Sequence, residues 1–131
     1  MYLVDTNVWI ERLLAQEKSG EVGDFLARIL TEYLWISDFS FHSICLILIR
    51  LKKTDALTKF AQDTFVDGAV SLAHLEPDDT AHVLDVMARY NLDFDDAYQY
   101  IVAEKYNLTL VSFDSDFDRT ERGCKTPAEI S

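Results

Sequence analysis

The chain is poor in the residues that mark secreted, fibrous or disordered proteins. Its 131 residues include only two Cys, two Pro and four Gly. With no CxxC pair, the two cysteines support neither a disulfide scaffold nor a zinc ribbon, and Cys45, inside an apolar run, reads as a buried reduced thiol. So few breakers exclude collagen-like and low-complexity chains. Long apolar runs are missing too. The longest, Ile44–Ile49, falls far short of the ~20 residues a membrane span needs. Asp5 interrupts the N-terminus before a signal-peptide core can form, so a cytoplasmic location is expected, with no membrane partner. Positive charge is also scarce: 12 Lys and Arg face 23 Asp and Glu, for a formal net charge of −11. That excess repels polyanions at long range and argues against sequence-independent grip on long duplex DNA. A nucleic-acid substrate stays open, because carboxylates gathered around a divalent cation add to the negative total while the ion reverses the local sign.

What remains is a chain 49% hydrophobic, expected to bury one core as a single domain over residues 1–131. Its most telling stretch is Leu108 to Phe117, where a β-prone apolar run ends in Asp114 and Asp116. In open α/β sheets, ligands bind outside the carboxyl ends of the strands. Tyr2–Val4 likewise ends in Asp5, and a helical segment between them opens with Asp93, Asp95 and Asp96. Three acidic clusters at element ends point to one cation site.

The rest of the chain alternates between short strands and amphipathic helices. Asp5-Thr6-Asn7 supplies capping residue types ahead of Val8, Trp9, Ile10, Leu13 and Leu14. Ser19-Gly20 is expected to break that helix, and the spacing of Val22, Phe25, Leu26, Ile29 and Leu30 predicts another over Glu21 to Thr31. Trp35–Ser37 has the size of a strand. Asp38 or Ser40 is expected to cap the next helix, whose residues Phe41 to Leu51 are apolar almost all round and therefore expected to be buried. A helical stretch from Asp55 through Phe65 closes at Asp67-Gly68, and Ala69–Leu72 reads as a third strand. Pro77 with its acidic neighbours opens a helix that Asn91 ends. Phe94, Ala97, Tyr98, Ile101 and Val102 make the apolar stripe of the next, which Asp93 is placed to cap, with Asp96 at its third position. Phe117 to Gly123 reads as a polar connection before a terminal segment, Thr126–Ile130.

Several carboxylates cannot share a pocket uncompensated, because like charges in low dielectric push one another's pKa upward. A hard divalent cation removes that conflict, and oxygen-only ligation favours Mg²⁺ or Mn²⁺ over Zn²⁺. His42, His74 and His82 lack a zinc-ligand spacing. There is no Gly-rich phosphate loop ending in Lys and no G-x-S-x-G elbow.

Val4-Asp5-Thr6-Asn7, Asp95-Asp96-Ala97 and Ser112-Phe113-Asp114-Ser115-Asp116-Phe117, in this order, resemble the acidic motifs of the PIN domain. Thr126–Ile130 is similar to the segment where such domains often close. That family comprises metal-dependent ribonucleases and includes the virulence-associated protein C type of toxin in bacterial and archaeal toxin-antitoxin pairs. The resemblance implies a three-layer α/β/α fold with a short central parallel sheet of 4–5 strands flanked by helices. It implies Mg²⁺- or Mn²⁺-dependent hydrolysis of single-stranded or structured RNA, with Asp5, Asp96, Asp114 and Asp116 at the metal site. Thr6, Asn7, Ser112 and Ser115 are near enough in sequence to hold ligands or waters, and Arg119 and Arg122 are the candidates to contact substrate phosphate. An antitoxin protein and a second copy of the chain are the implied partners.

One position departs from the family pattern. PIN nucleases usually carry a Glu early in the helix after the second strand, and the alignment puts Ser43 there. Asp38 lies five residues earlier, about 140° around a helix. A PIN fold that has lost catalysis and serves as a binding module is therefore one alternative. Another is an aspartate-dependent phosphatase with Asp5 as nucleophile, although Asn7 breaks its usual D-x-D. A receiver domain also collects acids at strand ends, but it needs a phosphorylatable Asp mid-chain and a late Lys, and neither is well placed here.

Overall fold

A computed structural model describes residues 1–131. Four strands, β1 (Tyr2–Val4), β2 (Leu34–Ser37), β3 (Ser71–Ala73) and β4 (Thr109–Val111), form one parallel sheet in the order β3-β2-β1-β4. Between β1 and β2 lie α1 (Thr6–Leu13) and α2 (Ser19–Arg28). Then α3 (Asp38–Arg50) and α4 (Thr54–Ala61) precede β3, and α5 (Thr80–Tyr90) and α6 (Phe94–Lys105) precede β4. Lys125 adds an isolated parallel bridge beside Val111.

The layers follow from the two-residue side-chain period of the strands. Leu3 and Leu110 point into one core with Val83, Val86, Ala97 and Ile101 of α5 and α6. Val4 and Val111 point into the other, with Val8 and Trp9 of α1, Phe25 of α2, Ile44 and Leu48 of α3 and Phe60 of α4. Helices thus cover both faces, giving the expected α/β/α sandwich. The chain leaves β1 toward β2 on one side, whereas β4 pairs on the other. The β1/β4 boundary is therefore the topological switch point, where the strand ends open a crevice.

Several local expectations are corrected. Ser19-Gly20 does not break a helix; it opens α2, and the break falls at Ala15, whose φ of 50° is left-handed. α2 ends at Arg28, short of Thr31. α3 is capped by neither Asp38 nor Ser40 but by Ser37, whose hydroxyl accepts from the Ser40 N–H at 3.0 Å. Nor is α3 buried all round: Leu46 is 39% and Ile49 51% exposed, and Cys45 is only part-buried. After Ala61 the chain widens into a π turn, Gln62–Val66, so α4 stops before Phe65. β3 sits slightly later than Ala69–Leu72. The Phe117–Gly123 connection is anchored by a fully buried Phe117.

Candidate active site

Asp5 follows β1 directly, and its N–H donates to the Val111 carbonyl at 2.9 Å, so the β1/β4 ladder holds its backbone. The side chain caps α1, accepting from the Thr6 N–H at 2.8 Å. Capping and site roles coexist. Oδ1 also accepts from Gln99 Nε2 at 2.8 Å and Oδ2 from Ser112 Oγ at 2.8 Å. The residue is only 7% exposed. Burial pushes its carboxyl pKa up, the donors from Gln99, Ser112 and Thr6 oppose this, and Asp114 adds to the rise; the net direction is upward.

Asp96 sits in the first turn of α6, where Asp93 caps the helix by accepting the Asp96 N–H at 2.8 Å. That bond uses the backbone of Asp96 and leaves its carboxyl group to the site. Burial first, then Asp114, Asp93 and Asp5, push that carboxyl up to about 7. Beyond β4, the Ser112 hydroxyl also accepts from the Asp114 N–H at 3.0 Å. Asp114 Oδ1 accepts from the Asp116 N–H at 2.8 Å, folding the loop into a 3₁₀ turn, Ser115–Arg119.

Carboxylate oxygens of Asp96, Asp114 and Asp116 lie within 4.8 Å of one another. Asp5 is not part of this trio. It forms the wall of the same cavity, about 420 Å³, with Thr6, Asn7, Asp95, Asp96, Gln99 and Asp114. The donor set fits a hard divalent cation: it offers only oxygens, and an uncompensated cluster holds a proton at Asp96 toward neutrality. Ligand oxygens around Mg²⁺ at ~2.1 Å lie about 3.0 Å apart when adjacent and about 4.2 Å apart when opposite, so the trio is near enough to share an ion after drawing together.

The polar neighbours divide. Asn7 donates to Ser112 Oγ at 3.2 Å and accepts from the Phe113 N–H at 3.2 Å, and Thr6 donates to Ser40 Oγ at 2.9 Å. Ser115 is exposed and outside this network. Ser43 faces the cavity with a hydroxyl. Asp38 does not replace a carboxylate there, since it accepts from the Tyr98 hydroxyl at 2.8 Å and the Phe39 N–H at 2.7 Å. Both arginines are tied to backbone carbonyls, and Arg119 also touches the site. Arg119 donates to the Tyr90 and Asn91 carbonyls at 3.1 and 2.8 Å, ending α5, and to Asp116 Oδ1 at 3.2 Å. Arg122 donates to the Leu108 carbonyl at 3.1 Å and the Ala103 carbonyl at 3.4 Å, at the far end of α6 from Asp96.

Two features escaped the sequence. Gln99, 1% exposed, joins Asp5 to α3: Nε2 donates to Ser40 Oγ at 2.8 Å and Oε1 accepts from Ser37 Oγ at 2.6 Å. Its signal is a lone polar residue one turn after Asp96, in the otherwise apolar and aromatic run Ala97–Ala103. The other is Lys18, whose ammonium sits 4.5 Å from the ring centroid of Phe113, the residue before Asp114.

A family model described as PIN domain matches residues 2–123. The chain belongs to the PIN domain family. Solved structures share the fold of this PIN domain. A toxin-antitoxin complex from Klebsiella pneumoniae superposes with a TM-score of 0.76 at 21% identity, covering 99% of this chain and 100% of that one. VapC20 from Mycobacterium tuberculosis, described as a sarcin-ricin loop cleaving toxin, gives 0.76 at 20% identity, covering 90% and 93%. FitAcB from Neisseria gonorrhoeae gives 0.77 at 21%, covering 99% and 100%. No curated protein matches the sequence. No helix is long and apolar enough to cross a membrane.

Proposed function

We propose that this PIN domain is a Mg²⁺- or Mn²⁺-dependent ribonuclease that hydrolyses phosphodiester bonds of single-stranded RNA, acting as the toxin of a toxin-antitoxin pair. The observation that carries this reading is the meeting of Asp96, Asp114 and Asp116 at the switch point, with Asp5 in the wall of the same cavity.

Asp96, Asp114 and Asp116 would hold the cation, and Asp5 would hold it or its waters. When bound, a divalent cation supplies charge neutralisation at the phosphate and lowers the pKa of water. The chain supplies the positioning. Gln99 and the Thr6 N–H occupy Oδ1 of Asp5, whereas Oδ2 accepts only from Ser112 and keeps a lone pair in reserve. Asp96 would hold the cation as the carboxylate, because metal ligation requires the deprotonated group. Lys18, held over Phe113, is a candidate for contact with substrate phosphate, as is Arg119 beside Asp116.

The proposed partners are RNA, a second copy of the chain and an antitoxin. The net charge of −11 suits a basic inhibitor segment. The toxin assignment draws on likeness to complexes described as toxin with antitoxin. One observation favours a second reading, a binding module without catalysis: Ser43 brings no charge to the position where the family usually has Glu. The phosphatase alternative is disfavoured, since both oxygens of Asp5 are held by donors and it is almost wholly buried.

Cleavage of a single-stranded RNA after chelation and re-addition of Mn²⁺ tests the reading. Activity should return with the ion and be abolished in Asp5→Asn and Asp114→Asn. An unchanged rate in either variant refutes it. Titration calorimetry with Mn²⁺ separates the second reading, because a dead site takes up no ion tightly.

A further inference from the structure

Beside the carboxylate cavity lies a row of three aromatic rings, with Tyr98 in the middle resting on the core and Phe39 and Phe94 leaning on it from either side. Phe39 lines the cavity where α3 leaves β2. Its ring centroid is 5.9 Å from that of Tyr98, tilted 43°, and Tyr98 is in turn 6.0 Å from Phe94, tilted 46°. We propose that Phe39, Tyr98 and Phe94 form a stacking track that carries unpaired RNA bases from the carboxylate cavity to a cleft beside Pro77. This rests on the ribonuclease reading and specifies how that substrate is held.

Phe94 is the clearest sign. Its stripe partners Ala97 and Ile101 are buried, as a core stripe should be, yet Phe94 is 46% exposed at the first position of α6. The expectation that it packs in the core is corrected. Tyr98 is held rigidly: its hydroxyl donates to Asp38 Oδ1 at 2.8 Å and accepts from the Leu75 N–H at 3.1 Å. A ring bolted at its rim between α3 and the β3–α5 connection loses little freedom when a base settles on it. The row ends at a cleft of about 250 Å³, walled by Phe94, Tyr98, Leu75, Pro77 and Val83, with Glu76 and Thr80 as its polar edge.

Charge decides what holds the strand. No Lys or Arg lines the cavity or the cleft, and Asp38, Asp95 and Glu76 stand nearby. Phosphate pairing along this flank is therefore absent, whereas every base has a π-face that an aromatic ring can hold. The opposite flank, past β4, carries Phe113 with Lys18 over it. Because β1 lies between β2 and β4, a strand reaching from Lys18 to Phe39 passes over Asp5 and its neighbours.

The test uses the full chain with Mn²⁺ and a single-stranded RNA carrying 2-aminopurine beside the cleavage site, comparing wild type with Phe94→Ala, Phe94→Leu and Phe94→Trp. Base stacking predicts KM raised about tenfold in Phe94→Ala and Phe94→Leu, kcat nearly unchanged, and recovery in Phe94→Trp. Fluorescence quenching on binding should follow the same order, and affinity should fall only shallowly with salt, near the slope of about −0.7 expected for one phosphate contact. Unchanged KM in Phe94→Ala, with cleavage intact, overturns the track and leaves the nuclease standing. Phe94→Leu matching Phe94→Trp also overturns it, because a peptide-binding apolar surface needs no ring. Quenching without cleavage supports the track and sinks the nuclease reading; neither binding nor cleavage overturns both.

Discussion

The side-chain amide of Gln99 donates to Oδ1 of Asp5 at 2.8 Å, joining residues 94 positions apart. The same amide binds Ser40 and Ser37, so one side chain ties α6, α1 and α3 to the end of β1. No buried side-chain polar atom in the chain lacks a partner. Gln99→Leu removes one hydrogen bond from each of three buried groups; Asp5 Oδ1 and Ser40 Oγ keep a second partner in Thr6, whereas the Ser37 hydroxyl loses its acceptor, which costs about 1–3 kcal/mol. Urea unfolding should therefore show a loss of about 2–3 kcal/mol. Gln99 is a positioning residue, so Mn²⁺ affinity should also weaken, by about tenfold. A variant that loses stability and keeps full Mn²⁺ affinity contradicts the positioning role.

The acidic cluster makes the metal-free fold less stable as pH rises. Folded Asp96 keeps its proton up to about 7, whereas the unfolded chain releases it near 3.8. Between those values the folded state binds more protons, and stability declines through that window. Asp5, also raised, works in the same direction. The Tm of the metal-free chain should fall between about pH 4 and pH 7. Asp96→Asn should flatten that fall and raise Tm at pH 8. Added Mn²⁺ should stabilise the wild type more at pH 8 than at pH 5, because the ion competes with the proton. A Tm rising through this range contradicts the clustering.

How far the sequence revealed the site depended on whether each signal was local. Strand-then-acid is a local pattern, so Asp5 and Asp114 were placed at strand ends before the sheet was known, and the α/β/α layering followed from strand and helix periodicity. Gln99 was hidden because its partners, Asp5, Ser37 and Ser40, lie far away in sequence. The exposed side of α3 was equally hidden, since composition does not tell an all-apolar helix in a core from one with an open flank. Ala15 gave no warning of its positive φ, which Gly or Asn would have signalled. The carbonyl contacts of Arg119 and Arg122 are hidden for the same reason: nothing near either residue in sequence announces the carbonyls of α5 and α6.

Those carbonyls separate structural from substrate-facing cations. Arg122→Ala frees acceptors at the end of α6 and should cost about 1–2 kcal/mol in urea unfolding, with RNA cleavage per folded molecule unaffected. Lys18→Gln touches no carbonyl through its side chain and should leave stability within about 0.5 kcal/mol. It should instead raise KM for RNA about three- to tenfold and flatten the salt dependence of binding. The reverse assignment, Arg122 moving KM and Lys18 moving only stability, contradicts the placement of Lys18 at the mouth.

Ser43→Glu tests whether the cavity is one carboxylate short. Ser43 is on α3 and part of the cavity lining, so a longer acidic side chain there reaches the space shared by Asp5, Asp95 and Asp96. Without an ion, the added charge repels Asp96 and raises its pKa further, so the metal-free Tm at pH 8 should drop below that of the wild type. With an ion, the same charge is an additional oxygen ligand, and Mn²⁺ should bind about tenfold more tightly. The two effects have opposite signs, which a general loss of packing cannot reproduce. If the wild type cleaves RNA slowly, cleavage should rise with Mn²⁺ affinity in this variant. A variant destabilised both with and without Mn²⁺ shows instead that the cavity has closed around serine and has no place for a fourth acid.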